Sequence, residues 1–201
     1  MRVTIIDYKA GNLTSVLKAL QHLGAKTTVT DADLSLIESA ERIVLPGVGH
    51  FAATERLDST EMTSAIRAVI SRGVPFLGIC VGMQWLYGGS TEAANQRGLG
   101  HFKESCSRFS ECSQKVPHVG WNSLEIRSNS RLLAGVGAGE FVYFTHSYKA
   151  PITTDTVAVS NYIEPFAAAV EDGNLMGVQF HPEKSGPTGM KILRNFLELS
   201  C

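Results

Sequence analysis

Two short segments carry residues whose types and spacing suit acyl-transfer chemistry. Gly78-Ile79-Cys80-Val81-Gly82 sets a cysteine between two glycines, at the end of the apolar run 74–79 (VPFLGI) and before a short helical pattern. A sharp strand-to-helix turn of this kind lifts a nucleophile above a sheet, and the glycines remove side chains that would collide there. A helix N-terminus behind Cys80 would favour thiolate over thiol, below the free value of about 8.5. The Val81 amide is placed to stabilise an oxyanion. His181-Pro182-Glu183 follows the apolar run 175–180. Proline disfavours helix in the residue before it, so His181 is expected to be extended. Residues i and i+2 of an extended chain point to one side, so Glu183 can orient the His181 imidazole and stabilise its charged form. Cysteine as nucleophile, histidine as base and glutamate as orienter form a cysteine version of the Ser-His-Asp arrangement. Each segment alone has a plainer reading: a buried thiol in a glycine-rich turn, or a surface histidine beside a turn carboxylate. The two together favour catalysis.

The elements that must position these residues alternate in type. Residues 3–7 (VTIID) read as a short buried strand. Residues 12–23 carry Leu13, Val16, Leu17, Leu20 and Leu23, the spacing of one helix face, with Gly24 closing the helix. Strands are expected at 26–30 and 42–45, the second running into a turn at Pro46-Gly47-Val48-Gly49. A helix over 62–72 ends at Gly73 and leads into the strand 74–79. This alternation argues for a parallel sheet with helices on both faces. From about residue 98 the pattern is mostly strands, at 124–126, 141–148, 156–162, 166–170 and 175–180. The last two are joined by the hairpin signal Glu171-Asp172-Gly173-Asn174. Residues 117–122 read as a loop holding Trp121, and an amphipathic helix over 188–199 closes the chain. The economical reading is one α/β domain over 1–201 with an antiparallel extension in its second half.

Composition excludes several function classes. The chain has 201 residues, 18 Lys and Arg against 19 Asp and Glu, and 44% hydrophobic residues. A chain of this size buries a core without disulfide or metal staples, and its composition is not that of a disordered segment. It has neither the basic footprint of a nucleic-acid binder nor a basic face for a membrane surface. No apolar run reaches the ~18 residues of a membrane helix, and the N-terminus is not that of a signal peptide. The expectation is a soluble cytoplasmic protein with a small-molecule or protein partner, and neither a nucleic-acid nor a membrane partner. Cys80, Cys106, Cys112 and Cys201 form no C-x-x-C pair, and Cys106 and Cys112 read as ordinary thiols. His50, His118 and His146 are too irregularly spaced for a zinc site, so no metal or cofactor is expected. His22 and His101 read as surface or packing residues.

The segment 78–84 (GICVGMQ), together with 178–183 (VQFHPE), resembles the class I, triad-type glutamine amidotransferases. Narrower matches resemble their subfamily of glutaminase subunits of imidazole glycerol phosphate synthase, from residue 1 to about 199. These lie at 7–13 (DYKAGNL), 46–51 (PGVGHF), 117–122 (PHVGWN), 143–148 (YFTHSY) and 183–186 (EKSG). The resemblance implies a flavodoxin-like fold, a mostly parallel central sheet flanked by helices. It makes Cys80 the nucleophile toward the side-chain amide of L-glutamine, His181 the base and proton donor, and Glu183 the residue holding His181. Gly47, Val48, Gly49 and Val81 would form the oxyanion site, where neighbouring glycines make a peptide easy to turn. Gln84, Glu92, Ser147 and Tyr148 would bind glutamine. Asn12, Pro117, His118, Gly120, Trp121 and Asn122 would meet a cyclase subunit in a heterodimer. The ammonia released would pass to that cyclase, giving imidazole glycerol phosphate and aminoimidazole carboxamide ribonucleotide in histidine biosynthesis. Two departures stand out: Val81 replaces the usual leucine, and 88–98 (GGSTEAANQRG) is richer in glycine. The length leaves no room for the synthase, so a second chain is expected to carry it. Two other readings stay open: a paralogous glutaminase serving another synthase, such as one amidating a surface sugar, and a non-catalytic regulatory subunit. The intact Cys80, His181 and Glu183 argue against the last.

Overall fold

A computed structural model describes residues 1–10, 13–110 and 114–199; Asn12, Cys112 and Cys201 lie outside the described residues. The first half alternates strands β1 (Arg2–Ile6), β2 (Lys26–Thr30), β3 (Ile43–Gly47) and β4 (Phe76–Cys80) with helices α1 (Leu13–His22), α2 (Leu34–Glu38), α3 (Glu55–Ser59) and α4 (Met62–Ser71). After the single turn α5 (Val81–Gln84) the chain turns to short strands. These are β5 (Gly89–Ser90), β6 (Ser105–Arg108), β7 (His118–Ser123), β8 (Glu125–Ile126), β9 (Phe141–His146), β10 (Tyr148–Lys149), β11 (Thr156–Asn161), β12 (Pro165–Asp172) and β13 (Leu175–Val178). Helix α6 (Gly186–Glu198) follows.

The main sheet runs β2-β1-β3-β4-β13-β12-β11-β8. Its first five strands are parallel and its last three add antiparallel pairs, as the sequence patterning suggests. β3, β4 and β13 are buried along their whole length, the mark of central parallel strands covered on two sides. Helix α1 packs on α6 and α2 on α4; α4 buries Met62, Ala65, Ile66 and Val69, and α6 buries Ile192, Leu193, Phe196 and Leu197. Buried Arg42, just before β3, donates to the carbonyls of Phe196 and Leu199. It satisfies the open end of α6 where a cation is favoured. Among the described residues no helix is long and apolar enough to cross a membrane.

Three expectations need correction. The chain does not turn at Pro46, because β3 continues through Gly47, which pairs with Cys80. The ladder from β1 to β3 has already ended at Val44, so the missing N–H of Pro46 removes no bond on that side. Residues 117–122 are not a loop, for β7 pairs residue by residue with β9. The expected strand 141–148 breaks at Ser147, and Tyr148-Lys149 leaves to pair with β6.

The β7–β9 register sets His118 opposite His146 among the rings of Phe109, Phe144, Tyr162 and Phe166. His146 Nδ1 donates to the Tyr148 carbonyl at 2.8 Å, so its Nε2 accepts from His118 Nδ1 at 3.1 Å. Asn122 Nδ2 closes the chain at His118 Nε2, 3.4 Å away. Burial pushes His118 down to about 4. Burial, with help from His118 and His181, pushes His146 down to about 3 against the pull of the Tyr148 carbonyl. Unfolded imidazoles take up protons near ~6.5, so this pair contributes its full stability above that pH. The contribution is lost as the pH falls toward the folded values. In an NMR titration both rings should therefore stay neutral down to about pH 5 while the urea midpoint declines over the same range. A ring from this pair titrating near ~6.5 in the folded protein would contradict this.

Candidate active site

The C-terminal ends of three adjacent parallel strands build the site, the edge where open α/β sheets bind ligands. β3 brings Gly47, β4 brings Cys80, and β13 leads through Gln179 to His181. Cys80 sits at φ 55°, ψ −109°, a region that side chains rarely adopt. Two contacts make the bend possible only with glycine on either side. A Cβ at Gly82 would strike the Leu45 carbonyl, and one at Gly78 would strike the Gly82 carbonyl. The expected elbow is present in these particulars. Cys80 Sγ lies 3.9 Å from the Thr145 carbonyl and 3.6 Å from Gln179 Nε2, which donates to it.

His181 is extended, at φ −100°, ψ 95°, as Pro182 requires. Its amide donates to Tyr143 on β9, and its carbonyl accepts from the Ser185 hydroxyl at 2.6 Å, so two elements clamp its backbone. Glu183 does not follow in extended chain. It lies on a 3₁₀ turn, Pro182–Lys184, with proline at the first position. Its Oε1 still accepts from His181 Nδ1 at 2.9 Å. The second carboxylate oxygen is buried without a partner among the described residues, as is His181 Nε2. Burial works against charge on His181, but the Cys80 thiol and the Glu183 carboxylate outweigh it and raise the ring to about 9. A buried imidazole held charged between a thiol and a carboxylate is the geometry of a nucleophile, base and orienter.

A cavity of about 210 Å³ opens over Cys80, lined by Val48, Gly49, Val81, Gln84, Glu92, Pro117, Thr145, His146, Ser147 and Tyr148. All four residues expected to bind substrate thus reach one space. Gln84 is nearly buried, and its amide nitrogen is taken by the Tyr148 carbonyl at 2.9 Å and by Gln179 Oε1 at 3.0 Å. It holds Gln179 against Cys80, a link not drawn from the sequence. Glu92 Oε2 accepts from the Phe51 amide at 2.8 Å, which anchors it at the rim. Of the residues expected to form the oxyanion site, Val48, Gly49 and Val81 line the cavity and Gly47 does not; the Val48 amide does not point into it, because it donates to the Ala10 carbonyl at 3.3 Å.

The expected docking residues divide. Trp121 is 55% exposed beside exposed Val119 and Phe141, a surface position and not a core one. Gly120 is half-buried, and Asn122 donates to the Asn161 carbonyl and to His118. His118 is a correction: it is 3% exposed, because strand alternation turns it inward while Val119 and Trp121 face out. His101 pairs with Asp172 at 2.7 Å, and Cys106 is a buried thiol that burial pushes well above its usual range. Tyr8 is buried as well, with its hydroxyl unpartnered among the described residues.

Comparison with known proteins agrees with this geometry. The family described as glutamine amidotransferase class-I matches residues 4–199. The imidazole glycerol phosphate synthase subunit HisH of Aquifex aeolicus is 42% identical, over 98% of this chain and 96% of its own. That of Archaeoglobus fulgidus is 44% identical over 98% of both. A crystal structure of a glutamine amidotransferase superposes with a TM-score of 0.76 at 18% identity, covering 98% of this chain and 97% of its own.

The raised His181 carries a sign. Its folded state keeps a proton that the unfolded ring gives up near ~6.5, so its contribution is full below that pH and is lost as the pH rises through about 9. Glu183→Gln should flatten this alkaline loss. It should also slow iodoacetamide alkylation of Cys80 about tenfold at neutral pH, since an imidazolium beside a thiol favours the anion. An unchanged alkylation rate would remove Glu183 from the site's chemistry.

Proposed function

The chain belongs to the class-I glutamine amidotransferase family, and from that membership we propose that it is the glutaminase subunit of an imidazole glycerol phosphate synthase, acting in histidine biosynthesis. The observation that carries this reading is the Cys80–His181–Glu183 arrangement, whose Cys80 lines the cavity, in a chain so similar to HisH subunits. Cys80 Sγ attacks the side-chain amide carbon of L-glutamine, and His181 gives its proton to the departing nitrogen, which leaves as ammonia. Water then attacks the γ-glutamyl thioester, with His181 accepting its proton, and glutamate and the free thiol are released. Glu183 stabilises the imidazolium through Nδ1. The Val81 amide, with the peptides of Gly47, Val48 and Gly49, receives the oxyanion. Gln84, Glu92, Ser147 and Tyr148 hold the substrate's own amino-acid group.

In this reading residues 1–201 act as a single glutaminase domain, and ammonia passes to a cyclase on a partner chain, in a heterodimer. Pro117, at the cavity rim, adjoins β7, whose Val119 and Trp121 form an exposed apolar patch with Phe141 of β9. Such a patch marks a contact surface, and Gly120 and Asn122 lie on the same strand. The inward His118 supports this strand from beneath. The proximity of patch and cavity supports docking directly over the ammonia source.

Cys80→Ser should abolish glutamine hydrolysis and leave binding to the cyclase chain intact; retained glutaminase activity would sink the assignment. The isolated chain should hydrolyse glutamine slowly, since the Val48 amide is committed to Ala10, and adding the cyclase with its ligand should stimulate it at least about tenfold. Full activity in the isolated chain would separate the docking surface from control of hydrolysis.

A further inference from the structure

Tyr8 follows β1 and is buried, yet its hydroxyl finds no hydrogen-bond partner among the described residues. Buried polar groups are nearly always paired, so an orphan beside a reactive site calls for a physical account. Burial first, and then the nearby Cys80, raise its pKa far above the phenol value, so it stays protonated and is a standing donor. Its oxygen occupies the space that a Cβ on Gly47 would take, and the same point lies 2.9 Å from Val81 Cβ. The hydroxyl therefore sits between the end of β3 and the start of α5, the two segments that carry the oxyanion amides.

The peptide joining Gly47 to Val48 explains what such a donor is for. A trans peptide holds its N–H and C=O on opposite edges of one plane. Here the Val48 N–H faces Ala10. Turning that N–H into the cavity must turn the Gly47 carbonyl toward the side the N–H has left. There the carbonyl would face the Ala10 carbonyl, acceptor against acceptor, unless a donor stands beside it. Tyr8 reaches Gly47 from the same segment, two residues before Ala10. We infer that Tyr8 is a positioning residue for the hydrolysis proposed above, its hydroxyl donating to the Gly47 carbonyl once this peptide has turned and so holding the oxyanion site in its competent form. The hydroxyl, without a partner among the described residues at rest, is paired during turnover.

This rests on the reading of Cys80 as a glutaminase nucleophile, and the test separates the two. Tyr8→Phe removes only the oxygen. With the cyclase chain and its ligand present, kcat for L-glutamine should fall about five- to tenfold, as for loss of one hydrogen bond, with KM nearly unchanged. The thermal midpoint should hold or rise, because an unpaired buried hydroxyl has been removed. Alkylation of Cys80 by iodoacetamide, a displacement that forms no oxyanion, should keep its rate. Unchanged kcat overturns the inference. So does a parallel fall in kcat and thermal midpoint, which is a packing role, or in kcat and alkylation rate, which is an effect on the thiol itself. If the wild-type complex releases no glutamate from glutamine, the glutaminase reading fails, and the role of Tyr8 fails with it.

Discussion

At Cys80 the backbone is held at φ 55°, ψ −109°, a conformation that costs a non-glycine residue on the order of 1–3 kcal/mol, and the arrangement of the sheet follows from the need to keep it there. Three neighbouring parallel strands end together at this point, and their registers align Gly47 with Cys80 and Val178 with Ile79. The strands are buried throughout, so the bend cannot relax by moving its surroundings. Both glycines beside the cysteine are closed in by main-chain carbonyls. The strain falls on the nucleophile itself, and its product is a thiol fixed between the Thr145 carbonyl and the Gln179 amide.

The same burial penalty acts on three histidines near this thiol and gives opposite results. Among the described residues His118 and His146 hydrogen-bond to each other and to neutral groups, so burial wins and both stay uncharged. His181 has a carboxylate on one nitrogen and the thiol nearby, and these overturn the penalty. The neutral pair is also useful to the charged ring, because a second imidazolium would repel it; His181 already depresses His146. One polar chain thus runs from Asn122 through His118, His146 and the Tyr148 carbonyl to Gln84, Gln179 and Cys80. It connects the strand that carries exposed Trp121 to the nucleophile without placing a charge along the way.

The parts of this site legible in the sequence are those whose residue types are rare outside chemistry. Cys80 between glycines and His181 before Pro-Glu could be read from spacing, and the alternation of strands and helices predicted the parallel half of the sheet. What stayed hidden is set by tertiary partners. β7 reads as loop because Pro117 precedes it and Gly120 and Asn122 interrupt it, and the facing strand β9 makes it extended. The resemblance sets His118 with the docking residues, and the inward and outward sides of a strand cannot be assigned before the strand is recognised. Gln179 is a polar residue within an apolar run, and Tyr8 passes for a core aromatic. Their roles depend on which polar atoms meet across the sheet, and local pattern carries no trace of that.

Residues 47–49 contrast with the rigid elbow they adjoin. A 3.3 Å hydrogen bond from Val48 to Ala10 is long for its kind and correspondingly weak, and glycines flank the valine, so the peptide can turn with little steric opposition. Val48 is also exposed, and with Gly49 and Pro117 it borders the cavity. A partner resting on the apolar patch of β7 and β9 would change the solvation of this rim before it touched Cys80. The rigid elbow and the lightly held peptide are therefore complementary: Cys80 is fixed by a buried strand and closed-in glycines, while the peptide joining Gly47 to Val48 is held by a long hydrogen bond at the cavity edge.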